Sequence, residues 1–231
     1  MGGVMAVVHF LRAIFRALIR IVVGVIARVK NLLVELFTLG KLRKKMRIQV
    51  RIPHDETGNP LILPADIGAA INNAIAVFDK EFNIGLIAYR GTRAETLDGN
   101  APAAALDLRC DFGAFCDEFG EAGSYFAWHS AGWFGIPIRL CFPVTVFVVR
   151  SIAGKLGCSI PITDYVTVAS ASGSSGVTAP TTLAHELAHT CLLAHRDSEP
   201  NNLLFPSEPR GTDTTGWQRL VARTSRHCTL W

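Results

Sequence analysis

At 231 residues with 49% hydrophobic side chains, the chain can bury one sizeable core, which excludes a wholly disordered protein. The net charge of +4 is mild and much of the excess lies before residue 52. No basic stripe marks the remainder as a nucleic-acid surface, so no nucleic-acid partner is expected.

Residues 4–37 read as one amphipathic helix of roughly 50 Å at ~1.5 Å per residue. His9, Arg12, Arg16, Arg20, Arg28, Lys30, Asn31 and Glu35 share one side, and Leu, Ile, Val and Phe hold the other. Arg12, Arg16 and Arg20 fall inside any membrane-length window, each costing roughly 2.5–3.5 kcal/mol at mid-bilayer, so the segment is a poor transmembrane span. It is also a poor signal peptide, because apolar residues precede the first charge. A helix lying in an anionic membrane interface fits best. A helix packed on the domain, a partner-binding helix and an atypical export signal are the alternatives. KLRKKMR (41–47) follows as a basic junction, suited to anionic lipid or to a solvated linker. These features divide the chain into an N-terminal helix and linker at 1–46 and a globular domain at 47–231.

The globular part alternates strand and helix signals. RIQVRI (47–52) reads as a strand and 53–60 as a turn, while 65–82 carries helical spacing at Ile67, Ala70, Ile71, Ala74, Ile75 and Phe78. NIGLIAY (83–89), VTVFVVRSI (144–152) and DYVTVAS (164–170) read as further strands. Residues 91–143, rich in Gly, Ala and aromatics, have no clear period. SGSSG (172–176) is a loop, and Pro180 suits the first turn of a following helix. The expected fold class is α/β (α+β) around a twisted mixed sheet.

The chemistry concentrates in HELAHTCLLAH, His185–His195. On a helix His185 and His189 lie one turn apart on the same face, able to meet one zinc ion at ~2.0–2.1 Å. Glu186 is rotated ~100° from His185, beside such an ion and not on it, where its carboxylate can act as general base on a water. On a continued helix His195 would lie ~15 Å along the axis from His185, so it can join the same site only if the chain stops near Leu192 or Leu193 and folds back. The other histidines, His54, His129 and His227, read as ordinary structural residues.

Here the chain resembles the metzincin zinc endopeptidases, whose pattern is H-E-x-x-H-x-x-G-x-x-H followed by a methionine-containing turn. DSEPNNLLFPSEP (197–209) looks like the matrixin-type segment beyond the third ligand, and TDTTGWQRLVARTSRHC like the closing helix. The specific part of the resemblance covers roughly 185–228. It implies a Zn2+ cofactor held by His185, His189 and His195, Glu186 as catalytic base on the zinc-bound water, and a protein or peptide substrate. Leu204 takes the place of the turn methionine, where leucine of similar volume can pack beneath the metal. Leu192 stands at the family's glycine, a turn position that wants positive φ, at a cost on the order of 1–2 kcal/mol. Asp197 or Glu199 is the substitute ligand if His195 does not reach. Phe205 stands where some relatives carry tyrosine, so it offers no phenol.

Six cysteines, at 110, 116, 141, 158, 191 and 228, contain no C-x-x-C pair. They suit disulfides in an extracytoplasmic, secreted or peripherally membrane-associated protein, and six separate buried thiols are the alternative. The family's packing of its active-site and closing helices implies a Cys191–Cys228 bridge; Cys110 and Cys116, which bracket DFGAF, are expected as a local pair. The expected function is zinc-dependent endopeptidase. Its rivals are a non-catalytic membrane-associated binding protein on a degenerate metzincin scaffold and a metal hydrolase acting on a non-peptide bond.

Overall fold

The computed structural model describes residues 2–110, 121–130, 141–160, 163–170 and 181–230, with α1 side chains described at Leu18 and from Ile21 onward. The SGSSG loop, Pro180 and Cys116 lie outside the described residues.

Helix α1 (Gly2–Thr38) leads into β1 (Lys44–His54), α2 (Gly68–Val77) with a π-helical extension at Phe78–Phe82, and β2 (Ile84–Ala88). Then come β3 (Ala94–Asn100), α3 (Ala103–Leu106), β4 (Asp107–Leu108) and α4 (Glu121–His129). The second half contains β5 (Val144–Val149), β6 (Ser151–Ile152), β7 (Gly157–Ser159), β8 (Tyr165–Ala169), α5 (Thr182–Thr190), α6 (Gly216–Arg223) and β9 (Cys228–Thr229). The expected α/β class holds: among the described residues the main sheet is mixed, mostly parallel and seven-stranded, in the order β2-β1-β5-β8-β7 with β3 and β9 also on β1.

β1 is the hub. One edge pairs β2 along Lys44–Ile48 and β3 from Val50, while the other takes β9 at Lys45–Met46 and β5 at Ile48–Arg51. A parallel strand covered on both faces needs apolar residues on both, and VTVFVV of β5 is buried throughout. Val144, Val146 and Val148 enter a core with α2 and α5, while Phe147 and Val149 enter a second cluster with Phe126 and Tyr165. β7 pairs antiparallel with β8 and ends the sheet beside α5.

β1 begins at Lys44, so the second half of KLRKKMR is strand. From Arg28 onward the polar side of α1 is packed on the domain. Asn31 Nδ2 donates to Ser225 O (2.7 Å) and Cys228 O (3.1 Å), and Arg28 Nη2 donates to Cys191 O (3.0 Å). Glu35 receives Arg223 Nε and Nη2 at 2.7 and 3.1 Å and Lys44 Nζ at 2.8 Å, all three side chains being buried. Burial works to raise the Glu35 pKa, but the bonds from Arg223 and Lys44 outweigh it and hold the carboxyl below its ordinary value.

Cys110 bridges Cys158 of β7, with Cα atoms 6.1 Å apart, and does not pair with Cys116. The expected Cys191–Cys228 bridge is absent. Both are buried thiols whose hydrogen bonds go elsewhere: Cys228 Sγ donates to Ala222 O at 3.4 Å, and Cys191 is held by Ser225. Burial raises the pKa of both. The Cys110–Cys158 bridge fits an oxidising, extracytoplasmic setting.

His227 is buried, with Nδ1 2.9 Å from Phe142 O and Arg226 Nε donating to Nε2 at 3.4 Å. Burial, reinforced by the Arg226 charge, pushes its pKa down to about 4. Because the folded value lies below the unfolded value of roughly 6.5, the associated stability is fully present above that pH and is lost as pH falls towards 4. The gap is worth about 3 kcal/mol. In urea titrations across this range, His227→Gln should flatten the acid loss of stability relative to the parent; an unchanged profile would mean that the imidazole titrates normally.

Candidate metal centre

α5 buries Leu183, Ala184, Leu187 and Ala188 in the main core and carries His185, Glu186 and His189 beside them. The helix ends at Thr190, and Leu192 takes φ 66°, the left-handed conformation. The chain therefore reverses where the sequence requires it to, and His189 Nδ1 meets Leu193 O at 2.7 Å across the turn. A leucine in this conformation costs about 1–2 kcal/mol. Glycine removes that strain while losing roughly 0.5–1 kcal/mol through its greater unfolded-state freedom. Leu192 is half-exposed, so little burial is sacrificed. Leu192→Gly should raise stability by up to about 1 kcal/mol in denaturant titration; a drop would show that leucine contacts hold the turn.

The reversal brings His195 to the other two imidazoles. His189 Nε2 lies 3.0 Å from His185 Nε2 and 3.1 Å from His195 Nε2, and the three ligand atoms are all within 4.8 Å of one another. A tetrahedral ion with bonds of ~2.0–2.1 Å spaces its ligands by roughly 3.3 Å, so the donor set fits one ion with little adjustment. His185 Nδ1 meets Leu203 O at 2.7 Å. With both Nδ1–H groups given to carbonyls, the Nε2 lone pairs of His185 and His189 point at the shared space. Burial first, and mutual repulsion with the neighbouring His189, hold His185 down to about 3; burial likewise holds His189 down to about 4. Both rings are neutral at pH 7, as ligation requires.

Leu203 and Leu204 form the turn beneath. Leu204 is fully buried, its N–H donating to Asn202 Oδ1 and its carbonyl accepting from Arg196 N. Asn202 and Gln218 exchange amide hydrogen bonds at 3.0 and 3.1 Å. Gln218 also completes a capping box with Thr215 at the start of α6, so the closing helix braces the carbonyl that orients His185. Glu199 is committed to Asn202 and Arg196 and is not drawn to the histidines.

Glu186 is buried, and burial pushes its carboxyl up to about 8 against the pull of Arg210 and Lys155. Its side chain lies on Gly157: a Cβ there would sit 2.5 Å from Glu186 Cγ. Nothing in the sequence marked Gly157, because the approach joins an edge strand to a helix far along the chain. Arg210 was missed as well. Its side chain is only 5% exposed and touches Glu208, yet Nη1 has no hydrogen-bond partner among the described residues, and its charge reaches Glu186, His185 and His189. Gly211 holds the adjoining backbone in place, since a Cβ there would lie 2.1 Å from Asn201 O.

Fold and site together define a mixed α/β domain whose three clustered histidines can hold a metal ion. No family model matches the sequence, and no curated protein matches it.

Proposed function

We propose that the chain is a metzincin-like zinc endopeptidase, with His185, His189 and His195 as ligands and Glu186 as catalytic base. The observation that carries this reading is the convergence of three ring nitrogens beside a buried carboxylate that is not one of them. Leu192 in the left-handed conformation, at the place of the family's glycine, and buried Leu204, at the place of its methionine, support it.

When bound, the ion supplies Lewis-acid polarisation of the scissile carbonyl and acidifies a water. Glu186 accepts the water's proton as oxygen attacks the carbonyl carbon, then returns it to the leaving amine as the C–N bond breaks. Arg210, buried near Glu186, adds positive potential to the site, and Phe205 has no hydroxyl to offer. β7, at the end of the described sheet order, offers an edge along which an extended peptide can pair.

The second reading, a non-catalytic membrane-associated binding protein, draws on the outward apolar side chains of α1. Glu186 separates the two, because a purely structural site needs no base. The zinc-loaded full chain should cleave members of a broad peptide library, with cleavage lost on chelation. Metal bound with the library intact would favour the binding protein, and turnover confined to esters or other bonds would favour a non-peptide hydrolase.

A further inference from the structure

Ordinarily a surface helix turns its apolar side to the core. In α1 from Ile21 onward the arrangement is reversed: Arg28, Asn31 and Glu35 are bonded to the domain, and the apolar side looks outward. We infer that this outward face is a bilayer-binding surface that seats the domain on an anionic leaflet.

Leu18, Val22, Val25, Val29 and Leu36 follow one another at three-, four- or seven-residue steps, each more than half exposed, and Phe37 beside them is 86% exposed. Towards the helix end this surface deepens into a groove of about 550 Å3 between α1, Leu42 and Leu230, hydrocarbon-lined except at Lys30 and Thr38. A stripe of this length is larger than the scattered apolar residues of an ordinary soluble surface. It therefore needs an occupant.

Charge identifies which. Of the cations in residues 1–54, Arg28 and Lys44 are turned to the domain and Arg43 and Arg51 pair with Asp79 and Glu95, while Lys41 and Lys45 are exposed; the segment's one carboxylate is Glu35. That carboxylate is buried against Arg223 and Lys44, so no acid on α1 faces outward. Exposed Lys41 follows the helix, and exposed Lys45 sits opposite Thr229, next to the Leu230 of the groove. Apolar insertion flanked by basic residues matches the acyl boundary and headgroups of an anionic membrane. A second copy of the chain would instead bring the same basic flanks together. No helix among the described residues is long and apolar enough to cross a membrane, so α1 lies on the bilayer and does not span it. The polar side, turned to the domain, leaves the domain on the aqueous side.

The test is independent of the hydrolase reading. Full-length protein is co-sedimented with vesicles of phosphatidylcholine alone and of phosphatidylcholine mixed with phosphatidylglycerol, at low and high salt. Binding should favour the anionic vesicles and weaken as salt rises. The double variant Val25→Glu, Val29→Glu changes only outward positions, so its melting temperature and metal content should match the parent while its vesicle partitioning falls by at least about tenfold. Equal partitioning of parent and variant, or a parent that stays in the supernatant at every composition, would overturn the inference. So would a lipid-free dimer that the same substitutions dissociate, which would assign the face to a second copy.

Discussion

Replacing Glu186 by Gln should leave metal affinity unchanged and lower peptide hydrolysis by about a thousandfold, within the range for a lost general base. Glutamine keeps the shape of the side chain, which the contact with Gly157 demands. It cannot take a proton from water. Metal retention follows because the three imidazoles are oriented without help from Glu186: His185 by the Leu203 carbonyl, His189 by the Leu193 carbonyl, and His195 by the turn at Leu192. The check is kcat/KM on a cleaved peptide, alongside metal content and the melting curve of the same preparation. Near-normal turnover would remove Glu186 from its assigned role, and loss of metal would mean that the carboxylate belongs to the ligand set.

The second large effect is on stability. Glu35→Ala should destabilise the protein by about 3–5 kcal/mol, because it strands the charges of Arg223 and Lys44 in the interior. Arg223 would keep its bonds to the carbonyls of Phe82, Asn83 and Leu42, but lose both contacts to its counter-ion. The same reasoning applies to a chain begun near Arg47, which lacks Glu35 and Lys44 and opens the start of β1. With Arg28, Asn31 and Glu35 of α1 bonded to the domain, such a chain should be unstable. Chemical denaturation of Glu35→Ala decides the matter, and a loss below about 1 kcal/mol would place the pair among weak surface bridges.

Local periodicity and motif chemistry made much of the molecule legible. β-branched runs located β5 and β8 to within a few residues, and the spacing of His185, Glu186, His189 and His195 already required a turn that Leu192 makes. What escaped was long-range. An amphipathic pattern divides a helix into two sides without saying which one meets the protein, and for α1 the answer depended on Arg223 and Ser225 at the other end of the chain. The same holds for sulfur: six cysteines say that bridges can form, while the pairing of Cys110 with Cys158 depends on how β7 folds against the segment after β4. Gly157 and Arg210 went unnoticed for the same reason, since each takes its meaning from a neighbour that is distant in sequence.

Binding of a single ion by three histidines, from one helix and its reversed exit, underlies the proposed chemistry. It is tested most directly by metal content per chain after zinc-replete expression and desalting, measured in parent, His185→Ala, His189→Ala and His195→Ala proteins. About one zinc is expected in the parent, removed by chelators, and little or none in His185→Ala and His189→Ala, with weakened retention in His195→Ala. A parent that emerges without zinc, or variants that keep a full equivalent, would contradict it.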